Sequence, residues 1–171
     1  MAITSSLELM TPWRLLRSLR KTPYILQTLL RQVTSSQAQQ APHDAHEWSI
    51  IEVLCHLRDY EEIFFRRALL IITEECPHIP IPESNEELAR KGEYKQQNIT
   101  TVLDSLFTTR QAFLQTLNDL NEDQWMREGI HSEQFPITLK EAVLQVIIHD
   151  IDHIEQITQL LHEQDRRSNL A

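Results

Sequence analysis

The chain has 171 residues, 41% hydrophobic and 24% charged, with only 2 glycines and a formal net charge of −9. That length suits one domain with a real core, and so few glycines argue against a turn-rich sheet protein. The negative charge argues against nucleic acid and anionic membranes as partners, and two cysteines, Cys55 and Cys76, are too few for a disulfide scaffold.

Met1 to Met10 contains Ser, Thr and Glu and no cleavable apolar core. The first helix is predicted from Thr11-Pro12, where Thr caps and Pro suits the first helical position, towards Val33, kinked or divided by Pro23. Its basic residues Arg14, Arg17, Arg20 and Lys21 fall at helical spacing, as a solvated face does. The Ser-, Gln- and Ala-rich stretch Thr34–His46 reads as a loop. A second helix opens at Ser49, where Ser49 and Glu52 form a capping box with Trp48 and Val53 as its hydrophobic staple. It carries Leu54, Leu57, Tyr60, Phe64 and Ala68 on one face and ends near Glu74, before Pro77, Pro80 and Pro82. Within it, the apolar run Ile63–Thr73 is interrupted by Arg66 and Arg67 and is too short to span a membrane. A soluble protein in a reducing cytoplasm is expected.

Residues Cys76–Gln97 form a connection long enough to be a crossover or a partly disordered lid, with a short helix around Glu86–Lys91. A third long helix follows from about Asn98 to Asn118, then a helical turn presenting Trp125 and a loop from Gly129 to Phe135. The fourth helix repeats the start signal of the second: Thr138 and Glu141 form a capping box, and the apolar pattern runs to about Glu163 before a polar tail, 165–171. The elements define a single domain, 1–171, with its core over about 12–161: an all-α, antiparallel four-helix bundle with a long connection between the second and third helices.

The chemistry lies on the second and fourth helices. At about 100° per residue, His149 and His153 point from one face of the fourth helix. His56, on the second, supplies a third imidazole if the two helices face each other across the bundle. Three protein nitrogens with a coordination position left open is the layout of a catalytic metal site, and an imidazole-only donor set suits Zn or Ni. Ordinary hydrogen-bonded core histidines are the alternative. Asp150 lies near the middle of the same stripe and has three readings: acceptor for the free nitrogen of a ligand ring, base towards metal-bound water, or simple core pairing. Asp59 can orient ligands of the second helix. His43 and His46 can chelate from their loop but read as solvated, while His78, His131 and His162 lack a partner at ligand spacing. Cys55 points away from His56 towards the core. Phosphate loops and nucleophile elbows are absent from the sequence.

Trp48-Ser49-x-x-Glu52-Val53-x-x-His56-Leu57-x-Asp59-x-Glu61, followed by His149-Asp150-x-x-His153-x-x-Gln156-Ile157, resembles the DinB/YfiT-like family over about Pro12 to Leu161. The resemblance implies the same four-helix bundle, a divalent metal on His56, His149 and His153, and a homodimer. It also implies a metal-dependent enzyme of the thiol S-transferase or hydrolase class acting on a small electrophile, with a low-molecular-weight thiol as the cosubstrate of the transferases. In such an enzyme Asp150 is the residue supporting catalysis. The competing function is a non-enzymatic metal-binding or stress-response dimerisation protein.

Overall fold

The computed structural model describes residues 10–42 and 47–169; the opening segment read for a leader, and His43 and His46, lie outside the described residues. Its elements are α1 (Pro12–Leu19), α2 (Lys21–Leu29), α3 (Ser35–Ala38), α4 (Ile50–Thr73), α5 (Asn85–Lys91), a 3-10 turn (Tyr94–Gln96), α6 (Ile99–Asn118) and α7 (Glu122–Trp125). A two-stranded hairpin, β1 (Glu128–Ile130) with β2 (Pro136–Thr138), and the long α8 (Leu139–Ser168) complete the chain.

Four rods form the bundle: α1 with α2, then α4, α6 and α8. The rod α4 packs against α6 and α8, and α1 packs against the same two, so α1 and α4 face each other across a diagonal. Two hydrophobic clusters give the directions. The first rod supplies Leu15 and Leu19 to one cluster, then Leu26 and Leu30 to the other. Both α4 and α6 start in the second cluster (Ile50, Leu54; Ile99, Val102) and finish in the first (Ala68, Ile71; Phe113, Leu117). From Leu139 and Val143 to Ile157 and Leu160, α8 runs the other way. Two rods thus run each way, and α4 and α6 are parallel neighbours.

That parallel pair explains the long connection. A helix of 24 residues advances about 36 Å, so the chain leaving α4 must travel back along the bundle before α6 begins. On the way, Ile79 pairs with Ile130 of the hairpin (N–H to O, 2.8 Å), and α5 packs on α4. Tyr94 is buried, and its hydroxyl donates to Asp59 Oδ2 at 2.6 Å. Gly92 makes the close return possible, since a Cβ there would lie 2.7 Å from Tyr94 Cε1.

Local signals explain most element ends. Glu52 accepts from the amide of Ser49 at 3.0 Å, and Glu141 from that of Thr138 at 2.8 Å, while Thr138 Oγ1 accepts from the amide of Glu141 at 3.2 Å. The first helix divides at Arg20 rather than at Pro23. Pro23 therefore occupies the first turn of α2, where its missing N–H costs no helical bond. Three further departures from expectation are local. Thr34 and Gln37 cap α3 inside the stretch expected to be loop, the expected loop 129–135 holds the end of β1 and the turn of the hairpin, and α8 continues through Ser168 into the expected tail.

Candidate metal centre

The capping boxes of α4 and α8 set the phase of both helices from their first turns. His56 then falls in the second turn of α4, and His149 and His153 in the middle of α8. The antiparallel packing of these rods brings the rings together: centroids are 5.0 Å apart for His56 and His149, 4.6 Å for His56 and His153, and 4.5 Å for His149 and His153. Each ring offers one nitrogen, and the three nitrogens lie within 4.8 Å of one another.

Aromatic side chains fix these rings. Trp48 lies 5.1 Å from His56, and Tyr60 stacks on His149 at 5.0 Å with 20° between planes. Phe64 meets His149 edge-on at 5.2 Å. The Tyr60 hydroxyl donates to Asn85 Oδ1 at 3.0 Å, tying the start of α5 to the rim. The three rings open on a cleft of about 520 Å³, walled by Trp48, Tyr60, Asn85 and Gln156.

Burial pushes the His56 and His149 imidazoles down to about 3, reinforced by the positive charge His153 would carry, so both are neutral near pH 7. Neutral imidazole is the form a metal needs. The donor set fits a divalent ion in a second respect. His56 Nε2 and His149 Nε2 stand 3.0 Å apart, against roughly 3.3 Å for two nitrogens bound at about 2.0 Å on a tetrahedral ion. His153 Nδ1 lies 2.9 Å from Gln156 Oε1, an acceptor that places the ring proton on Nδ1 and leaves Nε2 free as a ligand. His56 Nδ1 is buried with no hydrogen-bond partner among the described residues.

Asp150 is buried, and both its oxygens are engaged away from the rings. Oδ2 accepts from Thr22 Oγ1 at 2.6 Å and from Arg110 Nη1 at 2.8 Å, and Oδ1 from Arg110 Nη2 at 3.1 Å. No hydrogen bond joins Asp150 to a histidine among the described residues. Arg110 also donates to both oxygens of Glu61 at 2.6 Å and to the Leu19 carbonyl at 3.0 Å. That carbonyl is free because Pro23, four residues on, has no N–H to give it. Thr22, Glu61, Arg110 and Asp150 come one from each rod, and this polar layer separates the two hydrophobic clusters. Burial pushes the Glu61 carboxyl up against the pull of Arg110, whose guanidinium the two carboxylates hold charged.

Sequence reasoning did not assign this layer. Its trace is a charge inside an apolar stripe, since Arg110 is in phase with Leu106, Phe113 and Leu117 on the buried face of α6. Asp59 turns out to serve the connection rather than the ligands, accepting from Arg58 and Tyr94. His78, His131 and His162 take no part in the cluster.

An all-α bundle with three imidazoles converging from two rods is the class these features define. The chain belongs to the DinB superfamily, whose family model matches residues 18–157. Among solved structures it is similar to YfiT from Bacillus subtilis, described as a probable metal-dependent hydrolase with an unusual four-helix bundle topology. That match has a TM-score of 0.81 at 24% identity, covering 90% of this chain and 87% of that one. It is also similar to the mycothiol-dependent maleylpyruvate isomerase, with a TM-score of 0.71 at 14% identity and 90% of this chain covered. The match spans 63% of the isomerase, so this chain corresponds to less than two thirds of that protein. No curated protein matches the chain. Among the described residues, no helix is long and apolar enough to cross a membrane.

Proposed function

We propose that the protein is a metal-dependent enzyme of the thiol S-transferase or hydrolase class, acting on a small electrophilic substrate. The observation that carries this reading is the set of three imidazole nitrogens within 4.8 Å of one another at the floor of a cleft of small-molecule size. His56, His149 and His153 hold a divalent ion, Zn or Ni. When bound, the ion lowers the pKa of a coordinated thiol or water and polarises the electrophile.

The remaining steps belong to the chain. Gln156 keeps the His153 ring proton on Nδ1, so the opposite nitrogen stays available. Trp48 and Tyr60 exclude water from one side of the rings and offer flat walls to an apolar substrate body. Asn85, already accepting from Tyr60, has its amide N–H groups left to orient a substrate oxygen. Asp150 supports catalysis by holding α8 in place rather than by taking a proton, since both its oxygens are occupied by Arg110 and Thr22. A low-molecular-weight thiol as cosubstrate, a homodimeric state and a cytoplasmic setting complete the proposal. The exposed Ile148 and Ile151 on the outer face of α8 are compatible with pairing of two copies.

Elemental analysis of the purified protein tests the centre. Wild type is expected to carry about one Zn or Ni per chain and His153→Ala none; full occupancy in the variant rejects the ligand set. Screening the loaded protein against electrophiles with and without thiols then separates transferase from hydrolase. Inactivity across both panels rejects the enzyme.

A further inference from the structure

The cleft above the three imidazoles is one-sided in the charges it offers. Apart from the rings, its wall is Glu47, Trp48, Tyr60, Asn85 and Gln156: one carboxylate, two aromatic rings and two neutral amides. Among the described residues no Lys or Arg belongs to that wall, and residues 1–9, 43–46 and 170–171 contain neither type. On α4, which supplies His56 and Tyr60, Arg58 pairs with Asp59, Arg66 pairs with Glu62, and Arg67 lies over the Phe64 ring at 5.5 Å. None of these three lines the cleft.

Glu47 is exposed, two residues before the cap of α4, and makes no hydrogen bond or ion pair among the described residues. Its carboxylate is therefore open to a ligand. Trp48 beside it is half-buried, its ring set against those of His56 and Tyr94 with centroids 5.1 and 6.2 Å away. An indole face is the best aromatic platform for a cation, and ammonium ligands use such faces. A carboxylate next to an indole favours an ammonium group. It also selects against carboxylates, sulfonates and phosphates, which would meet Glu47 with no cation in the wall to receive them.

We propose that the molecule this cleft accepts carries an ammonium group, seated between the Glu47 carboxylate and the Trp48 ring while its reacting end faces the imidazoles. Glu47 is then a specificity residue that rejects anionic analogues. The proposal rests on His56, His149 and His153 holding a divalent ion at the floor of the cleft.

Three thiols of one length provide the test. Thiocholine, 2-mercaptoethanol and 2-mercaptoethanesulfonate carry a positive, a neutral and a negative group two carbons from the sulfur. The sulfur anchors each probe in the Co²⁺-loaded protein, and thiolate-to-Co²⁺ absorption gives the dissociation constants. Wild type is compared with Glu47→Gln and with Glu122→Gln, an exposed acid of α7 outside the cleft. The ion attracts the sulfonate equally in all three proteins, so changes on substitution isolate the wall. Wild type is expected to bind thiocholine more tightly than 2-mercaptoethanesulfonate. Glu47→Gln is expected to weaken thiocholine by about threefold or more, to strengthen 2-mercaptoethanesulfonate by a similar factor, and to leave 2-mercaptoethanol within about twofold. Both shifts should shrink in high salt, which screens an exposed charge. Glu122→Gln should leave all three within about twofold. The proposal is overturned if the sulfonate is the tighter ligand of wild type, or if the two charged thiols fail to move in opposite directions in Glu47→Gln. Stoichiometric Co²⁺ with no thiolate band for any probe overturns it together with the thiol reading. Absence of Co²⁺ binding in wild type would instead sink the ligand assignment, and this proposal with it.

Discussion

Single side chains here divide into those whose role follows from local geometry and those whose partner lies on another rod. The His149–His153 pair was legible because four residues on a helix always share a face. Asp150 was legible only as a polar residue on a buried stripe. Its partners, Thr22 and Arg110, are 128 and 40 residues away, and no spacing rule points to them. The depressed histidines make a pH prediction for the metal-free protein. Their folded values lie near 3 and the unfolded value near 6.5, so their neutral burial costs nothing above about pH 6.5. Stability is then lost as pH falls towards 3, by at most about 1.4 kcal/mol per pH unit for each ring. Urea denaturation with chelator present, comparing wild type with His149→Gln between pH 7 and pH 4, should show a shallower decline in the variant. An equal slope would refute the assignment of this loss to His149. The cysteines offer a simpler contrast. Burial pushes the Cys55 thiol up to about 12, whereas Cys76 is exposed. Iodoacetamide at pH 8 is expected to label Cys76 alone in the native protein and both thiols in urea.

Helix starts were read more faithfully than helix breaks. The boxes at Ser49 and Thr138 are written in four consecutive residues, and both form. Thr138→Ala is expected to cost about 1 kcal/mol in urea denaturation, since it removes the acceptor for the first turn of α8. Zn²⁺ stoichiometry should not change, because the proposed ligands lie three turns further on. The hairpin was missed for a definite reason. The left-handed residue of its turn is Gln134, at φ 68°, not a glycine, so the usual signal is absent. The break at Arg20 was displaced from expectation because a proline is tolerated throughout a first helical turn. Only the long-range bond from Arg110 to Leu19 shows what the break is for.

Across the whole molecule, composition and pattern sufficed for a four-rod bundle with one extended connection, but not for which rods are neighbours. That depends on the direction of α6, which the periodicity of α6 does not encode. The polar layer spans all four rods, so removing its one cation among the described residues should be felt globally. Arg110→Met leaves two carboxylates buried together and is expected to cost about 3–5 kcal/mol. A loss under 1 kcal/mol in chemical denaturation would show that the layer is not essential to assembly. Metal binding should act in the opposite direction. Ligation of the folded state alone adds about 2.7 kcal/mol at a free-ion concentration one hundred times Kd, so adding chelator should lower the melting temperature of wild type and not of His153→Ala. The parallel course of α4 and α6 has an evolutionary consequence. The return segment must already travel the length of the domain, and it supplies Asn85 to the rim of the cleft. Doubling the length of a flexible loop adds only about 0.6 kcal/mol of closure entropy, so insertions at the largely exposed 80–83 part of this stretch should be tolerated, whereas the buried Ile79 and Tyr94 hold the rest in place.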